Sequence, residues 1–490
     1  MQFSFNQSAL LPMSAAAFFL AACLLTTLVF FFITKRWKHS RKKIMGVWGL
    51  AWLLSAVLLF AGGAFGRFVE VQAVDTKTYT RRQLTQDLRQ LERYITKQNP
   101  LFFADRGALD RHFAAAYDRI EDDMTELDFY RLVNPIVVAA GCGHTNLSVS
   151  EALEINRADT ARFFPLKVTL IGDTLYVMED DADNNIRTGN EVISINGKTS
   201  GEIVRTLSDN ISGDSTNQAK PRYIIARHFN SRFYDFVDDS DSFTVVLADR
   251  DGAEKEAVLE AEYRSEFNTS AWALHFSDVR NGHLYKSAVY DEYAVLTVHF
   301  FMEEADNAFA PFLDDFFAEL KNRDIGKLII DMRGNFGGSP EMSRTLLSHL
   351  ITGETEYFAS GLPLMYNLMG YQKPIAPSDV TYDGNTVILT DGACFSTTGH
   401  FCAFAKYHNL ATLVGSETGG TYVCTDSSKD TALNHTRLRL HYSTQVYQVA
   451  VEGFSPDEGV MPDIYVTPSI DDILNDEDVQ MQRALAELGL

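Results

Sequence analysis

Two uncharged runs at the start of this chain restrict its fold more than any other feature. Leu10 to Ile33 extends for about 24 residues, and Ile44 to Phe65 for about 22, without an acidic or basic side chain. Each exceeds the ~20 apolar residues that a helix needs to cross a hydrocarbon core. Their connector holds Lys35, Arg36, Lys38, Arg41, Lys42 and Lys43, and the positive-inside bias assigns such a loop to the cytoplasm. Residues 1–68 therefore read as a transmembrane helical hairpin in contact with membrane lipid. The rest of the chain is then expected on the extracytoplasmic side of a cell membrane. A cleaved signal peptide fits the first run less well, because no basic residue precedes it and no small-residue cleavage site follows.

With 46% hydrophobic and 22% charged residues, the 490-residue chain has enough apolar surface to fold into two or three units. Six basic residues and no acid fall in residues 1–66, so the remainder is more acidic than the formal net charge of −22 suggests. Such a surface repels phosphate backbones and argues against nucleic acid as a partner. The five cysteines form no CxxC pair and no His/Cys ligand spacing, which points to neither a metal site nor a disulfide framework. No cofactor is expected.

Residues 69–160 read as a helical region, with Leu84, Leu88, Leu91 and Tyr94 at three- and four-residue steps and Phe113, Tyr117 and Ile120 repeating the pattern. It ends in a glycine-flanked loop, Gly141-Cys142-Gly143-His144-Thr145. Residues 161–265 turn to short strands, with a hairpin signal at Asn196-Gly197. Gly189 to Lys198 is similar to the strand-turn of PDZ domains, which hold chain ends by strand addition, and implies a PDZ-like β-rich module that either binds peptides or serves the fold alone. From 266 to 490, apolar strands alternate with helical segments, the pattern of an α/β core with a mostly parallel sheet. Reactive residues are expected at the carboxyl ends of its strands.

Two of those ends carry chemistry. Val387 to Thr390 runs into a small-residue turn and a helix start, placing Ser396 where emerging helix amides can receive an oxyanion. Read alone, Ser396 is the ordinary cap of a helix. Leu328 to Asp331 runs into Met332-Arg333-Gly334-Asn335-Phe336-Gly337-Gly338-Ser339, a glycine loop without the Lys-Ser/Thr of a phosphate cradle.

Taken in order, the His144 loop, the PDZ-like stretch, the Asp331-to-Gly338 loop and the Ser396 turn with Gly415-Ser416-Glu417-Thr418-Gly419-Gly420 downstream resemble the C-terminal processing and tricorn core serine peptidases. The resemblance spans roughly residues 80–470. It implies a serine-type endopeptidase with Ser396 as nucleophile and an oxyanion site formed by amides of Gly337 or Gly338 and of Thr397. In the Ser/Lys branch of the family the base would fall on Thr421, which cannot accept a proton. The tricorn-like branch places it on His144, whose ordinary pKa suits a base at neutral pH. An acid orienting the imidazole would lie near Gly459-Val460-Met461-Pro462-Asp463. Glu458 is the first choice, with Asp457 and Asp463 behind it. The family's serine before the histidine is Gly143 here. His400 and Cys394 are rival base and nucleophile, and a Cys142–Cys394 bridge is geometrically conceivable if the two loops meet. A different class of function, a catalytically silent receptor for peptides or small apolar ligands, remains open on the same fold.

The hairpin generates a direct test. A cysteine label placed in residues 35–43 is expected to be shielded from an impermeant reagent in whole cells, while one at Thr78 reacts. The reverse labelling would overturn the topology.

Overall fold

The computed structural model describes residues 76–263, 283–304, 308–359, 361–362, 364–368 and 370–490. The two apolar runs read as membrane spans lie outside the described residues. Among the described residues no helix is long and apolar enough to cross a membrane. Residues 73–490 form one unit, within which the helical, β-rich and α/β segments are packed together.

The helical layer begins with α1 (Arg81–Lys97), α2 (Arg106–Arg119) and α3 (Glu126–Val138). Thr80 and Gln83 form a capping box at the start of α1, which satisfies amides that the first turn leaves unpaired. Leu84, Leu88, Leu91 and Ile95 are fully buried along one face, the helical stripe expected from their spacing. They pack with Phe113, Phe129 and Val133 and, across more than 300 positions, with Leu433, Leu438 and Leu440. After α3 the chain turns through residues 141–145 into a short strand, β1 (Asn146–Ser148).

The β-rich segment is closed at its base by pairing of Glu262–Tyr263 with Arg162–Phe163. Between them, β2 (Val168–Ile171), β3 (Thr174–Val177), β4 (Glu191–Ile195), β5 (Ser242–Ala248) and β6 (Glu254–Glu260) form an antiparallel sheet ordered β6-β5-β4-β3-β2. Asn196 and Gly197 both adopt positive φ, so the hairpin after β4 has the primed geometry that an Asn-Gly pair favours. Two helices, α4 (Ser200–Ser208) and α5 (Ala219–Phe236), cover one face.

The α/β core is a six-stranded sheet. It comprises β7 (Tyr285–Val289), β8 (Ala294–Val298), β9 (Lys327–Asp331), β10 (Asn385–Thr390), β11 (Thr412–Gly415) and, after a hairpin of β12 (Lys429–Ala432) and β13 (Arg439–Tyr442), β14 (Ile464–Tyr465). Every neighbouring pair from β8 to β14 is parallel, while β7 joins antiparallel at the edge. The sheet is therefore mixed. Leu328, Ile330, Ile388 and Leu413 face α6 (Phe309–Asn322), α7 (Pro340–Ser348) and α8 (Thr397–Tyr407). Ile329, Val387, Leu389 and Val414 face α9 (Val479–Glu487). Cover on both faces explains why the central strands are continuous apolar runs.

The hairpin fixes the His loop. Strand β13 pairs with β1, matching Leu440 to Leu147 and His441 to Asn146, two residues beyond His144. Asp87 of α1, fully buried, clamps the hairpin turn by accepting from the amides of His435 (3.0 Å) and Thr436 (2.8 Å) and the Thr436 hydroxyl (2.7 Å). Asp87→Ala leaves those donors unsatisfied and is expected to cost about 3 kcal/mol of stability, measured by denaturant unfolding. A loss under 1 kcal/mol would refute the clamp.

Candidate active site

Strands β9 and β10 end side by side, and the two loops that follow are laced together. The Gly334 amide donates to Asp391, at 3.1 Å to each carboxylate oxygen. The Phe395 amide donates to the Asn335 carbonyl at 3.3 Å, and the Thr397 hydroxyl to the Gly338 carbonyl at 2.6 Å. Arg333 forks onto Asp331 (2.9 and 2.7 Å) and onto Asp478 (2.7 and 2.9 Å). That aspartate and arginine therefore anchor the glycine loop to the segment leading into α9. Asp391 is buried, which raises its pKa, and the Gly334 and Ala393 amides oppose that rise.

Ser396 sits at the head of α8 with φ 56° and ψ −125°, a conformation costing about 1–3 kcal/mol in a residue other than glycine. The strained strand-to-helix turn projects the hydroxyl out of the chain path. Gly337, at φ 106°, lies against it: a Cβ there would stand 2.8 Å from the Phe395 carbonyl oxygen and 2.8 Å from Ser396 Cβ. Only glycine allows this approach.

His144 Nε2 lies 2.9 Å from Ser396 Oγ. The imidazole packs against the Phe395 ring, centroids 4.6 Å apart. A Cβ on Gly143 would meet that ring at 2.5 Å, so a serine cannot stand before the histidine without displacing Phe395. Burial lowers the His144 pKa to about 4; Asp426 acts to raise it, while Lys220 and His441 lower it further. The ring is thus a neutral base at pH 7. Its Nδ1 is shielded and has no hydrogen-bond partner among the described residues.

The remaining expected site residues separate. Gly337's amide donates to Asn335 Oδ1 at 2.8 Å and is not available to an oxyanion, whereas no hydrogen bond engages the amides of Gly338 and Thr397 among the described residues. Glu458 is exposed and does not reach Nδ1. Asp457 accepts from the Ser215 hydroxyl, and Asp463 holds Lys406 at 2.8 Å. Electrostatically, the carboxylate that acts on His144 is Asp426, on a strand the sequence did not single out. Thr421 donates to the Ser455 carbonyl at 3.3 Å. His400 is buried with its pKa pushed to about 3, mainly by that burial, and its Nε2 has no hydrogen-bond partner among the described residues. Cys142 and Cys394 are free; the first contacts Thr425 Oγ1 at 2.7 Å and the second the Met332 carbonyl at 3.2 Å, so the conceivable bridge is not formed.

Residues that sequence reading missed hold the His loop. Asp214 Oδ1 accepts from the Gly143 amide at 2.7 Å, Lys220 Nζ donates to the Gly143 carbonyl at 2.7 Å, and Ser212 Oγ donates to the Thr145 carbonyl at 2.7 Å. All three come from the α4–α5 connection and the start of α5. In sequence they are isolated polar residues with no periodicity or motif to mark them.

Residues 292–466 match the model of Peptidase family S41. That span includes the glycine loop, the Ser396 turn and β14, and leaves His144 and the β-rich segment outside it. No curated protein matches the chain by sequence. Among solved structures, mature CPAF complexed with lactacystin aligns at 14% identity over 83% of this chain and 98% of that one, with a TM-score of 0.60. Mature CPAF aligns at 14% identity over 80% and 94%, with a TM-score of 0.57. At that identity the likeness establishes a common fold.

The depressed His144 pKa sets a pH profile. A base must be unprotonated, so activity carried by His144 is expected to hold its plateau down through pH 6 and to fall only as the pH approaches about 4. An acid limb centred at the ordinary histidine value of about 6.5 would show that the ring is not held in this buried setting.

Proposed function

We propose that this chain is a serine endopeptidase of family S41, of the branch with a histidine base, hydrolysing peptide bonds by acyl transfer through Ser396. The observation that carries the reading is the 2.9 Å contact between His144 Nε2 and Ser396 Oγ. In the proposed reaction His144 takes the hydroxyl proton as Oγ attacks the peptide carbonyl carbon. The oxyanion is received by the free amides of Gly338 and Thr397. The imidazolium then gives its proton to the departing amine, leaving an acyl-serine, and His144 deprotonates the water that hydrolyses it. Asp426, rather than Glu458, is the carboxylate that would stabilise the imidazolium, acting through space.

The N-terminal hairpin is proposed to anchor the enzyme in a membrane, with the catalytic unit on the extracytoplasmic face. The segment of residues 162–263, with its edge strand and covering helix, is taken as PDZ-like and as a place for a peptide or protein substrate to dock. The unpartnered Nδ1 of His144 is the one feature favouring the second reading, a module that binds peptides without cleaving them.

Fluorophosphonate labelling separates the two readings, because the probe reacts only with an activated serine. Labelling is expected at Ser396 and lost in Ser396→Ala. His144→Ala should slow it by roughly two to four decades, and Thr421→Ala should leave most of it. An unlabelled native protein favours the silent module, and a fully reactive His144→Ala variant removes His144 as the base.

A further inference from the structure

Lys220 is the second residue of α5 and is 6% exposed. A cation at that position is doubly disfavoured, by removal from water and by the positive end of the helix dipole. Its surroundings offset the cost. Nζ donates to the carbonyls of Gly143 (2.7 Å) and Ser212 (3.0 Å) and lies 4.3 Å from the centroid of the Phe395 ring. The Gly143 carbonyl belongs to the peptide bond that leads into His144, and Phe395 immediately precedes Ser396. One ammonium group therefore touches both the base loop and the nucleophile turn. Asp214, 1% exposed, takes the amide of the same Gly143 at 2.7 Å.

We propose that Lys220 and Asp214 are a positioning pair for His144, gripping Gly143 by its carbonyl and its amide so that the imidazole is aligned with Ser396 beside a fixed positive charge. The inference rests on Ser396 and His144 being the reacting pair. Burial pushes the Lys220 amine down to about 8, against the pull of Asp214 and Cys142, with Arg232 adding to the fall. Burial pushes the Asp214 carboxyl up to about 6, against the Gly143 amide and Lys220. Between those values both members are charged. The groups that act on His144 itself are Asp426, Lys220, His441 and, through its own ring, His400. Among them Lys220 is the one that also hydrogen-bonds the His loop.

A merely structural lysine and a positioning lysine differ in the pH profile. The rate of fluorophosphonate labelling of Ser396 is measured against pH for the full chain and for Lys220→Met, Lys220→Gln and Lys220→Arg, with thermal melting as a check on folding. Losing the cation raises the His144 pKa, so Met and Gln are expected to move the acid limb to higher pH. Met should also lower the plateau rate by about ten- to a hundredfold through misalignment. Gln, which still donates to the Gly143 carbonyl, should lose less, and Arg should keep the native limb. If Met misfolds, the Gln and Arg limbs decide. Gln and Arg profiles that both superimpose on the native one overturn the proposal while leaving the Ser396–His144 reading intact. An unlabelled native protein removes that reading first, and this proposal with it.

Discussion

A hydrogen bond between side chains 252 positions apart exists only if separate parts of the chain bring two loops to one place and keep them there. The Ser396 turn is supplied by the parallel sheet, whose adjacent strand ends present it beside the glycine loop. The His144 loop is supplied from the helical layer, which has no strand in that sheet. Two attachments make up the difference. One is the pairing of β1 with β13, which gives the loop its register, and the other is the grip of residues 212–220 from the β-rich segment. Asn217 of the same stretch also donates to the Thr418 carbonyl at 2.9 Å, so residues 212–220 contact the core as well as the His loop. The three segments that composition and periodicity separate are thus interdependent at the point where Ser396 and His144 meet.

Electrostatics at this point follow from burial. His144, Lys220 and Asp214 are each pushed toward neutrality by loss of water, and each is partly restored by an opposite partner. What remains is a neutral imidazole beside a strained serine whose adjacent amides are unpaired. The strain at Ser396 is held by the hydrogen bonds from Gly334, Phe395 and Thr397 that join the two loops, and by packing of Gly337 against the turn. A relaxed serine would cap α8 like any other; here the Ser396 side chain makes no capping bond.

Much of this was legible in the sequence, for reasons that differ by residue. Central strands announce themselves because burial on both faces demands unbroken apolar runs, as in Leu328 to Ile330 and Val387 to Leu389. Ser396 and His144 were legible because chain-breaking small residues surround them. The edge strand Tyr285–Val289 was not, since three of its five residues are exposed and it carries no clean alternation. Glu458 was chosen by spacing to a downstream motif, and spacing says nothing of where a turn faces; it faces water. Lys220 and Asp214 escaped notice because a charged residue in a polar stretch looks solvated until its neighbours are known. Asp426 escaped for the same reason.

The hairpin of β12 and β13 has a consequence for the order in which the site is assembled. Its strands are made late, after the Ser396 turn and the first five strands of the central sheet, β7 to β11. Until they dock, β1 lacks the partner that sets its register, and long-range pairings of this kind form slowly. A nascent chain thus carries Ser396 for some time without a seated His144. Whatever machinery handles the growing polypeptide meets a chain in which Ser396 and His144 are still apart, and their contact arrives only after Tyr442 has been made.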